Sequence, residues 1–439
     1  MMKIKAIAVY VMAFSFVACD SAPKESTSSP PKISPKKKQN LKSVAGTTGD
    51  TQGTKGTAKP VNQATLLPEI KRIRTDSAEL ALRNFRHRLD EAETRYKAEP
   101  NLFRQAENLV SLHLKRARFL GDARSYSRAL EIAEDTVKRL PKLGHAYRLR
   151  ATARSAVHLF QEALSDLKTA EEKGAPKFEI LRKRELIQVS LGHAKQVLPE
   201  WEKRARLYPR WNTIARYANG LSAVGEYTRA DEFYEKAFDA YRETSPFIAA
   251  WFMFSRGLMW AEKAGQSERG KAFYREAVHY LPDYLVANIH LAELEAEDGE
   301  VDQAIARLAR IQGPHKDPEI FGKLCTLYGL KGEKTRAASF CQKGLVGYNA
   351  LLTSHRPAFA DHGAEFFMGP GKDPTRALSL AQYNLSLRKT ERARALFLEA
   401  LLFAKKTADA CDFASKMTLK SILTSRLREA HQAGVEACP

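Results

Sequence analysis

The residues best equipped for chemistry stand together near the C-terminal end: His355, Asp361, His362 and Glu365. His362 and Glu365 are three apart, so on a helix they share a face, and an imidazole beside a carboxylate can hold a metal. His355, two before Pro357, is placed to close such a site. Scattered polar residues on a helix often produce sets like this, and solvent-facing or capping duty is the favoured reading. "GPGKD" at 369–373 lacks the spacing of a phosphate-binding loop. The chain has no nucleophile elbow and no Cys-x-x-Cys pair. It therefore reads as a non-enzyme with no catalytic residue, no metal and no cofactor. A metal-dependent enzyme centred on His362 is the weakest of three functional hypotheses.

What would position any such residue is the helical framework, and its signal is strong. In "GEYTRADEFYEKAF" (225–238), Ala230 and Ala237 alternate with Tyr227, Phe233, Tyr234 and Phe238. Small residues beside large ones mark where a second helix comes close. The same small position recurs at Ala129, Ala163, Val197, Ala230, Gly270, Ala304 and Ala337, at separations of 34, 34, 33, 40, 34 and 33 residues. A large residue often follows four later (Leu167, Trp201, Tyr234, Tyr274, Leu308), and Pro141, Pro209 and Pro282 close units. This resembles the tetratricopeptide repeat family over roughly residues 70–410.

The resemblance implies paired antiparallel helices with a short turn, here carrying Gly121, Gly192, Gly225, Gly265, Gly299 and Gly332. The expected fold is all-α: a right-handed superhelical solenoid of about seven to nine hairpins with a concave groove. Residues 64–108 are read as N-terminal capping helices and 109–348 as the solenoid. Residues 349–439 are read as a variant helix, a Gly-Pro-Gly loop, a terminal unit with Ala393, Phe397 and Ala400 at the small and large positions, and a capping helix. The extra residues around "YRETSPFIAAW" predict a longer helix or loop there.

The N-terminus reads "MMKIKAIAVYVMAFSFVAC". Lys3 and Lys5 precede an apolar run too short to span a bilayer, which takes about 20 residues. Phe16-Val17-Ala18-Cys19 resembles the lipobox of bacterial lipoproteins. That implies a signal peptide over 1–18, cleavage before Cys19 and lipidation of Cys19. Asp20 resembles an inner-membrane retention signal of enteric bacteria, and which membrane holds the anchor stays open. Residues 19–63 are rich in Ser, Thr, Pro, Lys and Gly and read as a disordered tether. The expected location is the bacterial cell envelope, membrane-anchored and facing the periplasm or the cell surface.

Four cysteines remain. By repeat position Cys325 and Cys341 face each other across one hairpin, and Cys411 and Cys438 would staple the last helix; buried free thiols are the alternative. In the repeat family the first helix of each unit lines the groove. Position by position, that implies a partner-binding set of His145, Arg148, Arg182, Arg216, Asn219, Arg256 and His290. Roughly one arginine per unit suits carboxylates, phosphates or an extended acidic peptide. The alternative is that these arginines pair with neighbouring glutamates.

The formal charge is +20, from 71 basic and 51 acidic residues. It would suit an anionic partner, and nothing resembles a recognition helix, an aromatic RNA-binding motif or a zinc finger, so nucleic acid is not expected. The leading expectation is a lipid-anchored adaptor of an assembly or secretion complex that holds a protein or extended segment, acidic in character. The second is a binder of anionic wall polymer or lipid.

Overall fold

The computed structural model describes residues 70–313 and 316–438. The proposed signal peptide, Cys19 and the tether lie outside the described residues. The first helix, α1 (Ala78–Ala98), precedes nine hairpins. They pair α2 (Phe103–Leu120) with α3 (Arg124–Arg139), α4 (Gly144–Ala156) with α5 (Phe160–Glu172), and α6 (Lys177–Leu191) with α7 (Ala194–Leu207). Next come α8 (Trp211–Ala223) with α9 (Tyr227–Ala240), α10 (Pro246–Leu258) with α11 (Ser267–Tyr280), and α12 (Leu285–Glu297) with α13 (Val301–Ile311). The seventh and eighth share α15 (Lys334–Met368), which breaks at His355. Its first limb pairs with α14 (Glu319–Leu330) and its second with α16 (Pro374–Leu387). The ninth pairs α17 (Glu391–Phe403) with α18 (Thr407–Ser415), and α19 (Ser425–Glu436) closes the array. Among the described residues there is no strand; one antiparallel bridge joins Asp122 and Lys316.

The phase of the hairpins is written in the backbone. Between the two helices of every hairpin the chain passes once through the left-handed region, at Gly121, His158, Gly192, Gly225, Gly265, Gly299, Gly332, Lys372 and Lys405. Glycine adopts that geometry without Cβ strain, and it stands at the six positions expected for it. These marks also correct one expectation. Lys372 and Lys405 end the second limb of α15 and α17, so α17 is a first helix and Ala393, Phe397 and Ala400 do not lie on a second one. The expected boundary at residue 109 likewise falls inside α2.

The small positions behave as packing residues. Ala129, Ala163, Ala230 and Ala304 are wholly buried, as are Ala237 and the rings of Tyr234 and Phe238. Ala337 is half exposed, because the first limb of α15 packs through Gly344 and Tyr348 further along. The longer unit between Ala230 and Gly270 has two causes. The link 241–245 is longer than its predecessor, and a π-helical turn, Met259–Lys263, extends α10.

The expected open groove is replaced by a winding that closes on itself. The Asp317 amide donates to the Gly121 carbonyl at 2.9 Å, joining the turn of hairpin one to the start of hairpin seven. His158 Nδ1 donates to the Pro357 carbonyl at 3.2 Å, joining two to eight. Gly192 sits against the Lys389 carbonyl before hairpin nine, close enough that a Cβ would lie 3.2 Å away. The Tyr227 hydroxyl donates to the Leu423 carbonyl at 3.1 Å, and Gly265 abuts Ser425, so hairpins four and five meet the start of α19. Inside, the Phe119 ring lies 5.3 Å from Phe247 and 5.0 Å from Tyr284, and Phe85 lies 5.6 Å from Phe247. At the N-terminal end Arg72 pairs with Glu276 at 2.6 Å, and Asp76 donates its amide to Thr244 at 2.8 Å.

Both expected cysteine pairs stand at disulfide distance. Cys325–Cys341 links α14 to the first limb of α15, and Cys411–Cys438 ties α18 to the chain after α19, each with Cα atoms 5.0 Å apart.

Overpacking one small position tests this packing scheme. Ala230→Leu is expected to destabilise the protein by about 1–3 kcal/mol in a denaturant melt. Glu232→Leu, on the exposed side of the same helix, is expected to stay within about 0.5 kcal/mol. Equal losses would mean that Ala230 is not a close helix contact.

Candidate partner-binding face and the buried charge network

The seven residues expected along the groove follow a gradient of burial. His145 is half-buried, its ring 5.7 Å from Phe103. Arg148 binds Glu179 at 2.9 Å and also pairs with Glu107. Arg182 is half-buried beside the Phe178 ring at 5.2 Å, and Asn219 is half-buried on α8. Arg216 is buried near the Trp201 ring at 6.0 Å. Arg256 is buried over Phe273 at 4.3 Å and binds Asp231 at 2.6 Å; Asp231 also takes Arg269 at 2.8 Å. His290 is wholly buried and stacks on Tyr274 at 5.3 Å.

The set is therefore not one accessible ladder. Arg216, Arg256 and His290 are packed inside, so no partner reaches them in this structure. Arg148 and Arg256 take the other reading, pairing with carboxylates. The physical reason is the winding: the later first helices turn toward an interior filled by rings from α1, α2, α10 and α12.

What stays open is hairpin three and the link after it. Phe178 and Leu181 on α6 are 58% and 46% exposed, and Leu207 and Tyr208 are 54% and 62% exposed. These are four of the ten exposed large apolar side chains among the described residues, so exposure is concentrated here. The helix α6 is apolar on two sides: Ile180, Leu186 and Ile187 face the core while Phe178 and Leu181 face water. The groove assignment picked Arg182 and missed its apolar neighbours. The available signal was a first helix with more apolar positions than one buried face can use.

The four chemistry-bearing residues near the C-terminus are buried, which corrects the expected solvent-facing role. Asp361, His362 and Glu365 lie on the second limb of α15. Arg388 donates to Asp361 at 2.6 Å, Arg392 lies 3.2 Å from Asp361 and 3.3 Å from Glu365, and Arg426 binds Glu365 at 2.9 Å and Glu399 at 2.7 Å. His362 Nδ1 lies 3.3 Å from Glu319. His355 instead sits 2.7 Å from the Ser127 hydroxyl on α3 and joins no common site. Burial opposes the charge on Asp361, yet His362, Arg388 and Arg392 hold its carboxyl well below the usual range. Burial also disfavours charged His362, but Asp361 and Glu319 raise it to about 9. Burial pushes Glu365 and Asp317 up, Asp317 to about 6. Arginines take up the carboxylates, so this network clamps α14, α15, α17 and α19 together.

A second charged group lies between hairpins five and six. His290 Nδ1 is 3.3 Å from Glu262 and 3.1 Å from Glu293, and Lys323 pairs with Glu293. Burial disfavours the imidazolium, but the two glutamates raise His290 to about 10. Burial, with Glu293 and Glu262, pushes Glu297 up to about 7.

Comparison with known proteins bears on this architecture. The family model described as "Tetratricopeptide repeat" matches residues 261–324, from the end of α10 into α14. No curated protein sequence matches this one. Among solved structures, the APC/C hetero-tetramer Cut9-Hcn1 aligns with a TM-score of 0.41 at 13% identity, covering 75% of this chain and 63% of that one, so this chain spans less than two thirds of it. A human IFIT1 dimer with PPP-AAAA gives 0.44 at 14% identity over 79% and 77% of the two chains. YrrB, "a TPR protein with an unusual peptide-binding site", gives 0.26 at 15% over 47% and 97%. Nine stacked hairpins define a helical-repeat solenoid. The tetratricopeptide repeat match falls inside this array, from hairpin five into hairpin seven.

His158 gives a pH test of the winding. Its ring is buried, stacks on Phe160 at 5.1 Å, and faces Pro357, Arg388, Asp361 and His362. Burial, then Arg388, depresses it to about 3. The folded protein therefore prefers neutral His158. That stability is complete above the unfolded value near 6.5 and is lost as pH falls from there toward 3, by at most about 1.4 kcal/mol per pH unit. His158→Asn keeps a residue that tolerates the left-handed backbone and removes the titration. Its melting temperature is expected to fall less steeply between pH 6.5 and 4 than that of the wild type; identical slopes would contradict this.

Proposed function

We propose that this protein is an adaptor that grips a protein partner on the open face of hairpin three, while a lipid on Cys19 holds it to a bacterial envelope membrane. The observation that carries the reading is the exposure of Phe178, Leu181, Leu207 and Tyr208 on hairpin three and the link after it, with Arg182 beside Phe178, in a fold whose other large side chains are mostly buried. Large apolar and arginine side chains at an accessible site are what protein interfaces use as anchors. Arg182 gives the face a preference for a partner segment carrying carboxylates. The location rests on the sequence before residue 20, and two cysteine pairs at disulfide distance suit an oxidising compartment. A role within an assembly or secretion complex belongs to the same proposal.

Two experiments separate the parts. Phe178→Ser combined with Arg182→Glu, both away from the core, is expected to keep the wild-type melting temperature. It should lose the proteins that the wild type crosslinks in isolated envelopes. A variant that captures the same proteins at equal yield removes hairpin three from the proposal. Cys19→Ser is expected to abolish incorporation of labelled palmitate and move the protein from the membrane pellet to the soluble fraction. Unchanged pelleting and labelling would rule out the anchor and leave the binding face untouched.

A further inference from the structure

The group between hairpins five and six has features that an ordinary buried salt bridge lacks. His290 is wholly buried, and its Nε2 has no hydrogen-bond partner. Nδ1 lies 3.3 Å from a Glu262 oxygen and 3.1 Å from a Glu293 oxygen, and the three atoms fall within 4.8 Å of one another. Donor atoms about 2.0–2.2 Å from a tetrahedral zinc ion stand roughly 3.3–3.6 Å apart, so the two imidazole–carboxylate edges are close to that spacing.

Acidic groups gather here: Lys323 pairs with Glu293, and Glu297 lies one turn further along α12. The backbone is also specialised here. Glu262 lies on the π-helical turn Met259–Lys263, and such turns often occur at functional sites. His290 and Glu293 are three apart on α12, hence on one face. Glu293 is slightly exposed and Glu297 is exposed, which supplies an entry route.

We propose that Glu262, His290 and Glu293 form a binding site for one divalent cation of the zinc class, pinning hairpin five to hairpin six. The imidazole nitrogen and two carboxylate oxygens are the protein ligands, and a fourth position is left for water or a carboxylate of a neighbour. An imidazole with two carboxylates favours zinc over calcium or magnesium, which prefer all-oxygen shells. The site does not depend on the adaptor reading.

The test uses the full chain, stripped with chelator and titrated with zinc chloride alone by calorimetry, followed by metal analysis after gel filtration. One zinc per chain is expected, with a rise in melting temperature that magnesium at the same concentration does not reproduce. Glu262→Gln keeps the side-chain volume and is expected to weaken zinc binding at least tenfold and to remove the thermal shift. His290→Asn should do the same, and Glu262→Gln decides the matter where that variant fails to fold. Absence of retained zinc at micromolar free metal, or undiminished binding in Glu262→Gln, overturns the proposal and leaves His290 as an imidazolium bridging two carboxylates.

Discussion

The contact on which the rest of the structure depends is the seating of one hairpin's turn against the start of a helix six hairpins later. A left-handed residue ends each first helix, and in hairpins one to five the turn it makes meets a later part of the array. Gly121 accepts from Asp317, and His158 donates to Pro357. The second of these shows why the position is not always glycine. His158 accepts backbone strain there, at φ 59, because its ring is buried, stacked and hydrogen-bonded to the winding above. A stack of hairpins bonded only to nearest neighbours would leave that edge in water. Here it is a second packing surface, and the array gains long-range contacts.

That closure decides where the protein can meet anything else. The later first helices face an interior of rings, so arginines that would line an open groove are neutralised from within. Arg256 shares Asp231 with Arg269, and Arg148 lies between Glu107 and Glu179. Burying charges costs several kcal/mol each unless they are paired well, which explains the acid placed opposite each of these arginines. The basic excess in composition therefore overstates the free positive surface of the repeat array. Hairpin three, where apolar side chains remain in water, is the exception.

The repeat was legible because its physics is local. Ala163, Ala230 and Gly270 sit at the same point of their hairpins, and a close helix contact favours small residues there. The Cys325–Cys341 pair followed from the same register. The winding was not legible, since it joins residues about 200 apart, such as His158 and Pro357, and no periodicity links them. The burial of Asp361, His362 and Glu365 was hidden for the same reason. Their partners Arg388, Arg392 and Arg426 lie on later helices, and a carboxylate reads as solvent-facing until its arginines are placed. The phase of α17 failed because a break at His355, where Pro357 removes a backbone donor, substitutes for a loop. The face around Phe178 was not legible, because which apolar side of α6 is left in water depends on the helices packed against the other.

The six-hairpin offset has a consequence for how such a chain can change. In an open array a whole repeat can be lost or duplicated, and the flanking units simply restack. Here removing one hairpin between the two windings would slide every turn of the first past its seat on the second, setting Gly121 and His158 against the wrong neighbours. Copy number in this array is thus locked by geometry, and single residues are freer to drift than the count of units.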